Sequence, residues 1–307
     1  MKDKRLKSLC KSIQAAVKKS CKENTTISFS GGIDSTLLAL IAKNYCHTEL
    51  ITVGVKDSYD IKASKTAAKE LGLNPKIVEK EPEGMIKEAE EMRKILNISP
   101  MEIEFMIPFW IAAKTATNKT LLCGQGADEL FGGYARFRSG KKYNLSKEVR
   151  ILEEIIPQRE EKIAKFFGLK LYCPYLNREV IACANSYTQK ERVGNVGKVP
   201  LRMAAKELGL PKEIADRKKK AAQYGSGSQK AIRSKMKYRI KLELGFRTVE
   251  IANTVINATE PENKGWVDTE IKGSTVNAIL KATSLGSLRE TFEDFMACVS
   301  VAEKVAQ

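Results

Sequence analysis

The sequence predicts an α/β protein: a parallel-sheet domain with a helical C-terminal part, followed by a small α+β domain of βαββα order. Three observations predict it. A β-prone run, Thr25 to Phe29, passes through two glycines into the helical stretch TLLALIAKNY. Strand-prone and helix-prone segments then alternate as far as residue 129. Beyond a GSGS at 225–228 the pattern changes to short alternating runs and two longer helical ones.

The chain opens on MKDKRLKSLCKSIQAAVKK, which has no unbroken apolar stretch and no small-residue cleavage site. It reads as an amphipathic basic helix rather than a signal peptide, so a cytoplasmic location is expected. After the first strand and its glycine turn, ELITVGV (49–55) is a second buried strand, SKTAAKELGL (64–73) an amphipathic helix and PKIVEKE (75–81) a third strand. Residues 83–118 read as helical with breaks at Pro100 and Pro108. KTLLCGQGADE (119–129) is a strand running into a glycine-bearing turn, and 145–220 is mainly helical. The GSGS reads as a flexible loop before a boundary, giving expected domains at 1–232 and 236–307. In the second, MKYRIKLEL (236–244) alternates like a strand and FRTVEIANTVINA forms a helix. WVDTEIKGS and TVNAILKAT pair as a hairpin, and LGSLRETFEDFMACVSVAEKVA closes as a helix. Its Leu285, Leu288, Phe292, Phe295, Val299 and Ala302 recur at helical spacing.

Composition removes several classes. With 43% hydrophobic and 29% charged residues over 307 positions the chain is globular, and no apolar run approaches the ~18 residues a membrane span needs. Seven cysteines without a CxxC pair argue against a disulfide framework and a zinc ribbon. One histidine, His47, excludes a His-based metal site and a Ser/His/Asp triad. Charge is informative by region. Residues 236–307 hold 9 Lys+Arg against 10 Asp+Glu, so upstream 44 basic residues face 27 acidic ones. Clusters stand at the N-terminus, at Arg136, Arg138, Lys141 and Lys142, and from Arg217 to Lys220. A polyanion partner and a plain solubilising surface both fit this excess.

Ser30-Gly31-Gly32-Ile33-Asp34-Ser35 joins a strand to a helix N-terminus, where free N–H groups and the positive dipole end make an anion site that glycines let a phosphate approach. The GxxxxGK[ST] phosphate loop is absent. The segment resembles the pyrophosphate-binding SGGxDS loop of the N-type ATP pyrophosphatases, whose fold is adenine nucleotide alpha hydrolase-like (PP-loop). CGQGADELFGGY (123–134) closely resembles the GEGADELFGGY segment of asparagine synthetase and beta-lactam synthetase synthetase domains. ITVG with Asp60 and Ala63, CPYLNREV (173–180) and RKKKAAQYGSG (217–227) extend the likeness over residues 20–230.

That resemblance implies ATP across the strand ends, with Ser30, Gly31, Gly32 and Ser35 cradling pyrophosphate and Val53 and Gly124 contacting the nucleoside. It implies Mg2+ on Asp34 and Asp128, a fit for hard oxygen ligands. Lys219 matches the lysine that stabilises charge on the phosphates, with Lys218 or Lys220 as alternative registers. Gln125 stands where the family has glutamate and cannot act as a general base, and Asn177 stands where it has aspartate. No nucleophilic cysteine follows Met1, so free ammonia or an ammonia-supplying partner is expected to provide nitrogen. At the other end ATEPEN, IKGS and the closing helix resemble the small dimerisation subunit of the KEOPS tRNA-modifying complex, which implies a homodimer and a KEOPS-type partner.

The reading is therefore an AMP- and pyrophosphate-forming enzyme that adenylates a carboxylate and amidates it, on tRNA, with a carboxylated wobble uridine as the suited substrate. Three alternatives stay open. They are an ammonia-dependent asparagine synthetase on free aspartate, a tRNA thiolase using Cys123 or Cys173, and a non-catalytic KEOPS-associated scaffold.

Overall fold

The computed structural model describes residues 2–138, 144–217, 222–235 and 237–306. In chain order, α1 (Lys2–Ser20) leads into β1 (Asn24–Ser28), and α2 (Ile33–Ala42) and β2 (His47–Gly54) follow. Next come α3 (Tyr59–Glu70), β3 (Pro75–Glu79), α4 (Pro82–Arg93), α5 (Pro100–Thr115) and β4 (Thr120–Leu122). Helices α6 (Ala127–Phe131), α7 (Leu145–Ile155) and α8 (Glu160–Phe166) precede β5 (Lys170–Tyr172). Six short helices follow: α9 (Arg178–Asn185), α10 (Gln189–Val193), α11 (Val199–Glu207), α12 (Lys212–Ala215), α13 (Ala222–Gly225) and α14 (Ser228–Arg233). The chain ends on β6 (Tyr238–Gly245), α15 (Val249–Asn263), β7 (Val267–Lys272), β8 (Thr275–Ala282) and α16 (Leu285–Ala306).

The fold class is the one expected. Strands β1 to β5 form a wholly parallel sheet in the order β3-β2-β1-β4-β5. The chain goes from β1 to β2 and β3 on one side, then returns to β4 on the other side of β1, so the order reverses between β1 and β4. A ligand crevice opens at such a switch point, outside the carboxyl ends of the strands. The strands are apolar because both faces are covered: Ile27, Leu50, Ile51, Leu121 and Leu122 are buried. Helix α1 joins this core through Leu9, Ile13 and Val17. Arg5 pairs with Glu191 at 2.8 Å, and this hydrogen bond, with the Thr188 N–H and hydroxyl, holds the Glu191 carboxyl down to about 2.

The chain divides into two compact units, Met1–Glu79 with Pro108–Ser226, and Lys80–Ile107 with Gly227–Gln307. The expected boundary after residue 232 differs from this division, since residues 80–107 and α14 go with the C-terminal unit. The reason is a buried charge. Glu104 is fully buried and accepts from Arg233 Nε at 2.6 Å, Arg233 Nη2 at 2.9 Å and Gln229 Nε2 at 3.0 Å. Ser228 Oγ donates to the Glu104 carbonyl at 2.6 Å.

Three local expectations are corrected. The GSGS is not a loop of its own but the junction of α13 and α14, with Ser226 and Ser228 fully buried and Gly227 at φ +77°. Pro108 lies inside α5 rather than ending it. The short β5, within a stretch read as helical, adds an edge strand. In the C-terminal unit the βαββα order is as expected, with an antiparallel sheet β6-β8-β7. Alternate residues of β8, Val276, Ala278, Leu280 and Ala282, are buried. Leu288, Phe295 and Val299 of the α16 stripe are buried too, whereas Leu285 is 68% exposed. No described helix is long and apolar enough to cross a membrane.

Removing one partner of a buried ion pair leaves an uncompensated charge, which costs about 3–5 kcal/mol. Arg233→Ala strands the fully buried Glu104 in this way, and is expected to lower the urea midpoint accordingly, read by far-UV circular dichroism.

Candidate active site at the switch point of the sheet

Two loops leave the carboxyl ends of β1 and β4, on either side of the switch point. The first is Ser30-Gly31-Gly32 leading into α2. Gly31 has φ +69°, and a β-carbon there would collide with the Ala63 backbone, so only glycine fits. Gly32 caps α2 without any side-chain hydrogen bond, which leaves the first N–H groups of the helix facing the loop. The Ser35 hydroxyl accepts from Ser30 N at 3.2 Å and donates to the Gly32 carbonyl at 3.3 Å, tying the turn to itself. Arg217 Nη1 bonds the carbonyls of Gly31 at 3.1 Å and Ala63 at 3.2 Å, clamping this loop to α3.

The second loop is Gly124-Gln125-Gly126 running into α6, which carries Asp128. A β-carbon on Gly124 would stand 3.0 Å from Asp34 Cβ, so a glycine keeps the two loops close. Asp34 and Asp128 come together around a cation the sequence reading did not single out. Lys198 Nζ lies 2.6 Å from Asp34 Oδ2 and 2.8 Å from Asp128 Oδ1. Its side chain is 2% exposed. Burial pushes its pKa down, and the two carboxylates more than offset this, so the ammonium titrates above its ordinary value. Tyr175, fully buried, donates its hydroxyl to the Asp34 carbonyl at 2.9 Å, and burial drives that phenol well above its usual range.

Of the expected residues, Ser30, Gly31, Gly32, Asp34, Ser35, Gly124 and Asp128 thus converge. Val53 is buried near the carboxyl end of β2, next to β1 in the sheet. Lys219, with Lys218 and Lys220, lies outside the described residues. Gln125 turns elsewhere: its Nε2 donates to Glu160 Oε1 at 2.7 Å, and Glu160, fully buried, is paired with Arg159 at 2.7 Å. Asn177 has a local task, since its side chain caps α9 by accepting from Glu179 N at 3.0 Å. Tyr175 stands where the resembling segment has phenylalanine, and that extra hydroxyl was the available signal. Lys198, Arg159 and Glu160 carry no local signal.

The cysteines also meet in space. Cys123 and Cys173 Sγ atoms are 3.5 Å apart, and their mutual hydrogen bond with burial pushes the Cys173 thiol well above its usual range. It is held as a neutral thiol, a poor nucleophile.

Mg2+ fits this donor set. Two carboxylates offer hard oxygens, and Asp34 Oδ1 is buried without a hydrogen-bond partner among the described residues. No group of three or more His, Cys, Asp or Glu gathers among the described residues.

The family model for asparagine synthase matches residues 9–154 and 150–271. The chain belongs to the asparagine synthase family. The putative glutamine-hydrolyzing asparagine synthetase 1 of Methanocaldococcus jannaschii is 33% identical over a match that covers 71% of this chain and 47% of that protein. Glutamine-hydrolyzing asparagine synthetase 1 of Arabidopsis thaliana is 26% identical, covering 64% of this chain and 39% of that one. Among solved structures, the NMN synthetase from Francisella tularensis matches at a TM-score of 0.40 and 14% identity, over 71% of this chain and 77% of that chain. The chain spans less than half the length of these two asparagine synthetase relatives.

The Gln125–Glu160 contact gives a test of this asparagine synthase family member. In Gln125→Glu two carboxylates share that contact and one must hold a proton, a raised folded-state pKa whose stability is lost as pH rises. The variant is expected to lose about 2 kcal/mol at pH ~8 and less at pH ~5, and adding Glu160→Gln to restore part of the loss, by urea unfolding at both pH values.

Proposed function

We propose that this protein is an ATP-dependent ligase that adenylates a carboxylate and passes its acyl group to a nitrogen nucleophile. One observation carries the reading: an uncapped glycine loop runs into α2, whose Asp34 meets Asp128 of the second strand-end loop through Lys198. A carboxylate oxygen attacks the α-phosphorus, the bond to the bridging oxygen breaks, and pyrophosphate leaves. The nucleophile then attacks the acyl carbon and AMP leaves. Ser30, Gly31, Gly32 and Ser35 would receive the pyrophosphate through N–H groups and hydroxyls, and Lys219 would stabilise its charge. Mg2+ held by Asp34 and Asp128 would screen the phosphate charge when bound. Gln125 takes no proton, so the amine must arrive neutral or lose its proton elsewhere.

The acceptor we favour is a carboxylate on tRNA. Its support is the excess of 44 basic over 27 acidic residues upstream of residue 236 and the resemblance of the C-terminal segment to the KEOPS small subunit. Homodimerisation through that segment, and a KEOPS-type or ammonia-supplying partner, belong to the same proposal. A second reading, amidation of free aspartate, is supported by the names of the relatives.

Pyrophosphate exchange into ATP separates them, measured with aspartate and with tRNA from cells lacking the gene. We expect exchange with tRNA alone, falling steeply with salt, and reduced about a hundredfold or more in Asp34→Asn. Exchange with aspartate alone would establish the second reading, and exchange with neither would overturn the ligase assignment.

A further inference from the structure

We propose that the Lys198 ammonium is a resident cation that keeps divalent metal out of the Asp34–Asp128 pair until nucleotide arrives. The inference rests on the reading of this pair as the metal site of an ATP-using enzyme, and it adds an order to the filling of that site.

Lys198 Nζ, 2.6 Å from Asp34 Oδ2 and 2.8 Å from Asp128 Oδ1, stands where an ion bridging both carboxylates would stand. It is fixed at its root. Lys198 has φ +57°, an uncommon conformation for a side-chain-bearing residue, and its N–H donates to the Phe131 carbonyl at 3.1 Å. The space beside it is closed, because a β-carbon on Gly133 would fall onto Asp128 Oδ1 and Lys198 Cε. An ammonium and a second cation have no room to share that side.

What is left for a second cation is Asp34 Oδ1, a buried oxygen without a hydrogen-bond partner among the described residues, on a side chain that is 20% exposed. A bare divalent ion arriving there meets a carboxylate pair already half neutralised. Among the described residues no third His, Cys, Asp or Glu joins the pair to replace its hydration shell. An ion that arrives on a triphosphate carries its remaining oxygen ligands with it, and needs from the protein only what Asp34 and Asp128 still offer.

The test uses the full chain and Mn2+ as the probe, counting free Mn2+ by electron paramagnetic resonance with and without α,β-methylene-ATP, whose binding is followed separately by equilibrium dialysis. For the wild type we expect Mn2+ affinity without nucleotide to be at least about tenfold weaker than with it, the effect of a unit charge at contact distance in a partly desolvated site. Lys198→Met removes the charge and should tighten nucleotide-free Mn2+ binding at least about tenfold, while Lys198→Arg should keep the wild-type pattern. If Lys198→Met does not fold, Lys198→Gln, whose amide still donates to a carboxylate, makes the same test. Wild-type affinity that is equal with and without nucleotide overturns the role of Lys198, as do neutral variants that bind bare Mn2+ no better than wild type. Absence of any nucleotide binding overturns the ATP-site reading itself, and this inference with it.

Discussion

Two carboxylates and one ammonium, all largely withdrawn from water, set the terms for the rest of the N-terminal unit. Asp34 comes from the helix after β1, Asp128 from the helix after β4, and Lys198 from the turn before α11. Each charge alone would be costly to bury, and together they are tolerable only at hydrogen-bond distance. The cluster therefore couples two strand-end loops and a helical segment distant from both in sequence. Its supports are specific. Tyr175 fixes the backbone of Asp34, the Phe131 carbonyl fixes the root of Lys198, and Gly133 leaves the gap into which Asp128 and Lys198 fit.

This coupling gives the glycine loop its direction. A loop of small residues at a helix N-terminus binds anions only where its N–H groups face an accessible space. Arg217 ties Gly31 to α3 from one side, and the Asp34–Lys198–Asp128 contact ties the start of α2 to the β4 loop from the other. The N–H groups are thus held over the crevice at the point where the strand order reverses, which is where a parallel sheet of this order has its natural opening.

What the sequence made legible follows from which constraints are local. Gly31 and Gly32 could be read because a positive φ and a close backbone approach admit few residues, so the demand is written at the position itself. Strands β1, β2 and β4 were legible because burial writes a run of strand-forming residues. Lys198 was not, since one lysine among 53 Lys+Arg carries no mark of the two carboxylates it meets. Nor was the allegiance of residues 80–107 to the C-terminal unit, because Glu104 and Arg233 read as ordinary surface charges until the fold buries one against the other. Three residues, Lys170 to Tyr172, are too few to announce an edge strand by pattern. Gln125 read as the loss of a base, whereas its amide has a donor's role that only the buried carboxylate of Glu160 explains.

That role bears on what the site can accept. Asp34, Asp128 and Lys198 together carry one net negative charge. Glu160 adds none, since Arg159 neutralises it away from solvent, and Gln125 screens it from the crevice with a neutral amide. A carboxylate at position 125 would instead stand against the buried Glu160, a like-charge contact that the amide avoids. By committing the side chain of residue 125 to a buried partner, the fold forgoes a base there.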